Sequence, residues 1–318
     1  MPLTHKTFTV QPDSPEVGIR LDRIVQSLCG WSRAQVAGLL DHGCVSLNGE
    51  RCEEPGRTVA AGDTVELAYY PGQKYHVRPK ARRNQAFGVV FEDRDLIVVS
   101  KPADMLTVPT DAGENYTLVN LVSEYLRHVS RVRQAFTAHR LDVGVSGLLV
   151  FGKSAEIAKA IRAQFAEHKP EREYAAIVAG RMRDSKGTFD SLLATNRSLS
   201  RYSTDDEEEG ERAVTHYRVE QPFRDATLVT VWLETGRRNQ IRIHFAEAGH
   251  PVLGDPRYGG QRAESRDWPH RRLALHARQL AFNHPVTGEL VRFSSPLPDE
   301  MELFVARAQA AASPKRGK

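Results

Sequence analysis

Three segments of this 318-residue chain collect the side chains that could do chemistry. The first is A-H-R-L-D-V-G-V-S-G-L-L-V, Ala138 to Val150, where His139, Arg140 and Asp142 stand just before an apolar run. A carboxylate at the mouth of a strand, beside a glycine-bearing turn, can be aimed into a cleft as a nucleophile or a base. The spacing equally suits a loop ion pair between Arg140 and Asp142, and composition alone favours that simpler arrangement. The second segment, E-T-G-R-R-N-Q-I-R-I-H-F from Glu234 to Phe245, groups Arg237, Arg238, Arg242 and His244. A helix starting near Asn239 would put Arg242 on its first turn and His244 on another face. Phosphate binding and an ordinary basic surface fit this group equally well. The third, G-H-P-V-L-G-D-P-R-Y-G-G from Gly249 to Gly260, is too rich in Gly and Pro for regular structure. It reads as an ordered loop near a site or as a long turn.

Other chemistries lack their patterns. No segment has P-loop, G-x-S-x-G or zinc-ligand spacing. His139, His244, His250, His270, His276 and His284 are scattered, with no H-x-x-x-H pair, so no metal is expected. Cys29, Cys44 and Cys52 are an odd count without C-x-x-C spacing, which predicts reduced, packed thiols in a cytoplasmic protein. The first residues show no apolar stretch after a basic one, and no run approaches the roughly 18 apolar residues of a membrane span. Neither a signal peptide nor a membrane partner is expected.

The elements that must position these residues divide at YYPGQKYHVRPKARRN, Tyr69 to Asn84, where Pro, Gly and basic residues interrupt the hydrophobic pattern. Ahead of it, Leu21, Ile24, Val25 and Leu28 share a helix face. Ser32 opens a capping box with Gln35, the helix runs through Val36, Leu39 and Leu40, and Gly43 suits its left-handed end. V-S-L-N-G then alternates into an Asn-Gly turn, and AGDTVELAYY supplies a later strand. Arg33, on the first turn of the second helix, suits a phosphate contact as well as a plain surface position.

Beyond the break, strands are predicted at Val89–Phe91, Leu96–Ser100, Gly147–Phe151, Tyr174–Val178, Val214–Val219, Leu228–Leu233 and Gln279–Phe282. Helices are predicted over Leu118–Val129 and from Ser154 through Phe165. Strands outnumber helices without regular interleaving, so the fold class is α+β with a mostly antiparallel mixed sheet. The chain is divided as 1–70 for the small α/β unit, 71–86 for a basic linker, 87–305 for the larger domain and 306–318 for a basic, flexible tail.

A net charge of +4 and a pI near 9.0 lean toward an anionic partner. The linker carries Lys74, Arg78, Lys80, Arg82 and Arg83 and no acid. The opposite sign gathers at Asp205 to Glu211, read as a solvated loop.

The ordered string R-L-D-R-I-V, S-R-A-Q-V, G-C-V-S-L-N-G, G-D-T-V-E-L resembles the S4 RNA-binding domain across Ile19 to Ala68. From Phe87 to Pro298 the chain resembles the RluA group of pseudouridine synthases. V-F-E-D-R-D-L-I-V-V-S-K-P-A, H-R-L-D with S-G-L-L-V, E-R-E-Y-A-A-I-V-A-G and G-R-R-N-Q-I-R-I-H carry the likeness, followed by G-H-P-V-L-G-D-P-R-Y-G and L-A-L-H-A-R-Q-L-A-F. With the S4-like module, the layout is similar to the bacterial large-subunit ribosomal RNA enzymes of that group.

The resemblance implies an enzyme that isomerises a flipped-out uridine in structured RNA without a cofactor, because no redox change or hydrolysis occurs; nothing in the sequence suggests an obligate dimer, so a monomer is expected. It assigns the catalytic carboxylate to Asp142, its charge partner to Arg242 and the base-stacking phenol to Tyr174. An arginine within about 4–6 Å favours the charged form of a carboxylate, which both attack on C1′ and removal of the C2′ proton require. His139, Arg140, Arg33, Arg237 and Asn239 are then the RNA contacts, with Arg140 a wedge or phosphate ligand during flipping.

Four residues depart from the family pattern. Gly144-Val145-Ser146-Gly147 stands where D-T-S-G is usual, Asn239 where His is usual, and Arg172 where Lys is usual. Asn239 is expected to act as an N-cap. Two other readings compete: a non-catalytic RNA-binding or ribosome-assembly protein on the same fold, and a carboxylate hydrolase with Asp255 as its second acid.

Overall fold

The computed structural model of the chain describes residues 3–71, 75, 86–130, 132–167, 170–198 and 200–312. Most of the expected linker, and the tail from 313, lie outside the described residues.

The first unit follows its sequence signals closely. Helix α1 (Leu21–Cys29) buries Leu21, Ile24 and Val25, and α2 (Arg33–Asp41) starts with Ser32 and Gln35 in the reciprocal capping box. Gly43 takes φ +67 just past α2. Strands β1 (Thr4–Thr9), β2 (Val45–Leu47), β3 (Glu50–Arg51) and β4 (Thr64–Tyr69) form one sheet in the order β1-β4-β2-β3. Asn48 and Gly49 both have positive φ, as the two-residue turn between β2 and β3 requires. β1 was not foreseen: T-H-K-T-F-T is a half-buried edge strand whose single large apolar residue gives no periodic signal.

The larger unit is built on β5 (Gly88–Glu92), β6 (Leu96–Lys101), β7 (Phe136–Thr137), β8 (Ser146–Gly152), β9 (Glu171–Ala179), β10 (Lys186–Thr195), β11 (Arg201–Thr204), β12 (Glu211–Pro222), β13 (Ala226–Leu233), β14 (Leu275–Asn283) and β15 (Leu290–Ser294). They make one sheet ordered β11-β10-β12-β13-β9-β14-β8-β6-β5, with β15 on β14 and β7 on β8. Among the described strands only β14 and β8 pair in parallel, so the mostly antiparallel mixed sheet is as expected. β8, between β14 and β6, is buried along its whole length. Leu149 and Phe151 face the core under α3 (Leu118–Val129), while Leu148 and Val150 pack on the other side with Ile161 of α4 (Ala155–Ala166).

One hairpin was missed and two expectations are corrected. The hairpin β10–β11 was not predicted, because K-G-T-F-D-S-L-L-A-T alternates weakly and buries only its end. The last helix, α6 (Asp299–Ala312), passes the boundary set at residue 305 because buried Met301 and Phe304 anchor it and Ala308 continues the packing. The acidic run is not wholly a solvated loop either. Its last residue, Glu211, begins β12 and bridges Arg201 at 2.5 Å and Arg237 at 2.8 Å. Among the described residues no helix is long and apolar enough to cross a membrane.

Candidate active site

A cleft of about 610 Å³ opens where the loop before β8, strand β9 and helix α5 (Gln240–Glu247) meet. Asp142, Tyr174 and Arg242, from three distant stretches of sequence, all line it. A second cavity of about 640 Å³ shares Arg140, Asp142 and Arg242 and adds Arg257, Arg271 and Arg272, so the carboxylate sits between two basic recesses.

The loop that carries Asp142 is tied down on both sides. Buried Thr107 donates to the Leu141 carbonyl at 2.7 Å and accepts from the Leu141 amide at 3.2 Å. The Gly144 amide donates to the Ala103 carbonyl at 2.6 Å, and the Gly144 carbonyl accepts from Leu273 at 3.1 Å. Gly144 holds φ +88, a conformation that side chains disfavour, and buried Val145 packs into the core. The departures from D-T-S-G thus replace side-chain polarity with a glycine turn and an apolar anchor. Gly147 is required sterically, since a Cβ there would fall 2.3 Å from the Ala277 carbonyl oxygen.

The Asp142 carboxylate meets Arg242, not Arg140. Arg242 Nη1 donates to Asp142 Oδ2 at 3.3 Å and to Asn239 Oδ1 at 3.0 Å. Its Nε and Nη2 donate to Asp255 at 2.7 and 2.8 Å, and its guanidinium lies 5.1 Å from the centre of the Tyr258 ring. Charge-assisted bonds of about 2.7–2.9 Å are the strong ones, so Asp255 holds Arg242 more firmly than Asp142 does. The Asp255 side chain is fully buried and also accepts from the Arg257 and Tyr258 amides. Burial pushes its carboxyl up, but the bonds and charge of Arg242 and the two amides outweigh that and hold it below the usual range. An acid so committed cannot serve as the second carboxyl of a hydrolase.

Tyr174 is buried on β9, between β13 and β14. Burial raises its phenol, Arg172 opposes the shift and Asp142 adds to it, so the hydroxyl keeps its proton at neutral pH.

The remaining expected residues are placed as follows. Arg140 is exposed and lines both cavities. Half-buried His139 is differently employed from the RNA contact expected of it. Its Nε2 accepts from the Val150 amide at 3.2 Å, its ring stacks on Phe165 at 4.5 Å, and burial with the nearby Arg172 charge pulls it down to about 3. A neutral acceptor of that kind pins the loop to β8 and offers phosphate no charge. Arg237 lines the cleft but is drawn back onto Glu211. Asn239 has φ +60 and makes no side-chain cap on α5, contrary to the N-cap expected; Nδ2 donates to the Tyr258 hydroxyl at 2.9 Å while Oδ1 serves Arg242. Arg33 is exposed beside a groove formed with Arg20, Gln26 and Pro55.

Sequence reasoning gave none of three further residues its supporting role, though it had named Asp255 as a hydrolase acid. Asp255 and Tyr258 lay in the Gly/Pro-rich segment, whose density of unusual residues was the available signal. Lys101, at the end of β6, is completely buried, and its Nζ donates to the Pro102 and Met105 carbonyls at 2.9 and 2.7 Å. Burial brings it down to about 7, with Asp104 and Asp142 resisting and Arg272 assisting. A lysine closing an apolar strand was its only sign. Elsewhere, Asp93, Asp95 and His284 bring potential metal ligands within 4.8 Å. His284 Nε2 is bound to Asp93 at 2.8 Å and Nδ1 accepts the Val286 and Thr287 amides, so both ring nitrogens already serve the turn.

Residues 95–247 match the family described as RNA pseudouridylate synthase, and residues 19–65 match the S4 domain. The ribosomal large subunit pseudouridine synthase D of Zymomonas mobilis is 35% identical, covering 96% of this chain and 97% of its own length. That of Vibrio cholerae is 34% identical, covering 90% of each. The chain belongs to the RNA pseudouridylate synthase family. Human RNA Pseudouridylate Synthase Domain Containing 4 shares the synthase fold at a TM-score of 0.60 and 21% identity, covering 70% of this chain and 93% of that one. The enzyme class and the S4 module expected from the motifs are both borne out.

Proposed function

We propose that this synthase converts uridine to pseudouridine in large-subunit ribosomal RNA, with Asp142 as the reacting carboxylate, Arg242 as its charge partner and Tyr174 as the platform for the base. The observation that carries the assignment is the chain of contacts from buried Asp255 through Arg242 to Asp142, ending in a cleft that Tyr174 also lines. A flipped uridine would stack on Tyr174 while Asp142 Oδ approaches C1′ or takes the C2′ proton. Either route breaks the C1′–N1 bond and leaves its electron pair on the uracil, which turns and rejoins the sugar through C5. The C5 proton is then lost, and no cofactor is consumed.

Arg140 and Arg238 at the rim, with Arg257 and Arg271 in the second cavity, suit the phosphates on either side of the flipped residue. Arg33 and the groove beside it give the S4 module, residues 1–70, a backbone grip that offsets the few kcal/mol of unstacking. In this reading the 71–86 stretch links the two, the catalytic domain runs from 87 to the end of α6, and the protein acts as a cytoplasmic monomer. The large-subunit target draws on the names of the two synthase D relatives, each aligned over nearly its full length.

The test is pseudouridine mapping of large-subunit RNA from cells with the gene, without it, and with Asp142→Asn. Sites that vanish on deletion and stay absent with Asp142→Asn, while purified variant and wild type bind RNA within about 1 kcal/mol of each other, support the proposal. Unchanged maps would revive the non-catalytic RNA-binding alternative.

A further inference from the structure

Arg172 carries a charge that the fold does not neutralise. It stands two residues before Tyr174 on β9, so both side chains leave the same face of the strand, and both line the cleft. No described carboxylate pairs with it. Its Nη2 makes only a long bond, 3.4 Å, to the Glu234 carbonyl, and its Nε is buried without an acceptor. The guanidinium lies 5.4 Å from the Phe165 ring centre, and burial works against its charge. A Cβ at Gly236 would fall 2.4 Å from Nη1, so glycine at that position leaves the guanidinium its place. The contrast is with Arg242, whose three nitrogens all have acceptors.

A partly desolvated cation with unused donors is costly to keep unless an anion arrives to meet it. The reaction read above creates one beside Tyr174, since cleavage of C1′–N1 spreads negative charge over N1, O2 and O4 of the uracil. We infer that Arg172 is a further catalytic residue, donating to a carbonyl oxygen of the departing uracil and stabilising the anion while it is detached from the sugar. The inference rests on the proposed uridine isomerisation. Its logic is that of an oxyanion site, where preformed donors meet charge that appears only as the bond breaks. A cation there would also retain the loose base during its turn, because the attraction follows charge and does not depend on one orientation.

The test uses the full-length protein and an RNA that the wild type modifies, with uridine or 5-fluorouridine at the target position. Single-turnover cleavage of the target nucleoside is measured at saturating enzyme for Arg172→Met and Arg172→Lys. Fluorine stabilises the uracil anion by itself and so reduces the need for the arginine. Arg172→Met should lose about 100-fold on uridine but only about 10-fold on 5-fluorouridine, with RNA affinity unchanged. Arg172→Lys, which keeps the charge without the planar fork, should show an intermediate loss with the same substituent dependence, and it guards against a folding defect in the methionine variant. Equal losses on both substrates, or a loss confined to affinity, would overturn the inference. A wild type that makes no pseudouridine removes the underlying reading, whereas an active wild type matched by Arg172→Met removes this inference alone.

Discussion

Asp255→Asn isolates the support behind Asp142, the proposed reacting carboxylate. Asp255 Oδ1 accepts from Arg242 Nη2 at 2.8 Å and from the Arg257 and Tyr258 amides at 2.9 and 3.1 Å, while Oδ2 accepts from Arg242 Nε at 2.7 Å. Asparagine has one oxygen, and three donors favour keeping it at the Oδ1 position. Its NH2 then faces Arg242 Nε, donor against donor. Removing one partner of a buried ion pair costs about 3–5 kcal/mol. For a domain of this size each kcal/mol moves Tm by about 2–4 °C, so a fall of roughly 10 °C at pH 7 is expected. The guanidinium, left with Asp142 and Asn239, should turn toward the carboxylate and displace it. A misplacement on the order of 1 Å lowers the rate by about 100-fold, read as the single-turnover rate at saturating RNA.

The pH dependence supplies an independent check. The folded-state pKa of Asp255 is depressed, so its contribution is fully present above the unfolded value of about 3.9 and is lost as pH falls through the lower folded value. The gap in unfolding free energy between wild type and Asp255→Asn should therefore be constant from neutral pH down to about pH 4 and close in stronger acid. A Tm within about 2 °C of wild type, or a gap that persists unchanged in acid, would refute the view that this ion pair holds Arg242 in place.

Two further outcomes follow from the ties around the loop. Lys101, brought down to about 7 by burial, binds fewer protons folded than unfolded between that value and the unfolded pKa of about 10.4, so its contribution strengthens as pH rises through this window; Lys101→Met should flatten that part of the stability profile, measured by denaturant unfolding at several pH values. Gly144→Ala forces a side chain into φ +88, with its Cβ 3.1 Å from Leu273 Cγ; a destabilisation of about 1–2 kcal/mol with a clear loss of rate is expected, and a variant as stable and active as wild type would mean the turn does not constrain Asp142.

The elements legible in the sequence were those whose burial is periodic or whose ends carry local chemistry. Leu118, Val122 and Leu126 mark α3, the Ser32–Gln35 box starts α2, and Asn48-Gly49 turns β2 into β3. The hairpin β10–β11 was illegible because its burial depends on what crosses it: Leu193 of β10 clusters with Ala213 of the next strand, β12, and with Ile243 of α5, about fifty residues further on. The site divides the same way. Asp142 was visible as a carboxylate before a strand, but its ion pair was misread on residues alone, because Arg140 is close in sequence and Arg242 only in space. Burial of Asp255 and Lys101 is a tertiary property that no local pattern announces.

The relative lengths of the contacts explain how one arginine can serve two carboxylates with different tasks. Arg242 is clamped by Asp255 at 2.7 and 2.8 Å and reaches Asp142 at 3.3 Å through a single nitrogen. A bidentate grip on Asp142 would stabilise the resting carboxylate, and that stabilisation would be forfeited when an oxygen left to attack C1′ or take a proton. Catalysis gains only from interactions stronger in the transition state than in the ground state. Fixing the cation from behind, through an anion that takes no part in bond making, keeps positive charge beside Asp142 without binding it tightly. The same reasoning separates the two arginines of the cleft. Arg242 is neutralised before the reaction begins, whereas Arg172 has no described counter-ion until the base departs. In the proposed mechanism the negative charge therefore passes from a carboxylate beside a paired arginine to a uracil beside an arginine with no described counter-ion, which favours cleavage of the glycosidic bond and retention of the freed base.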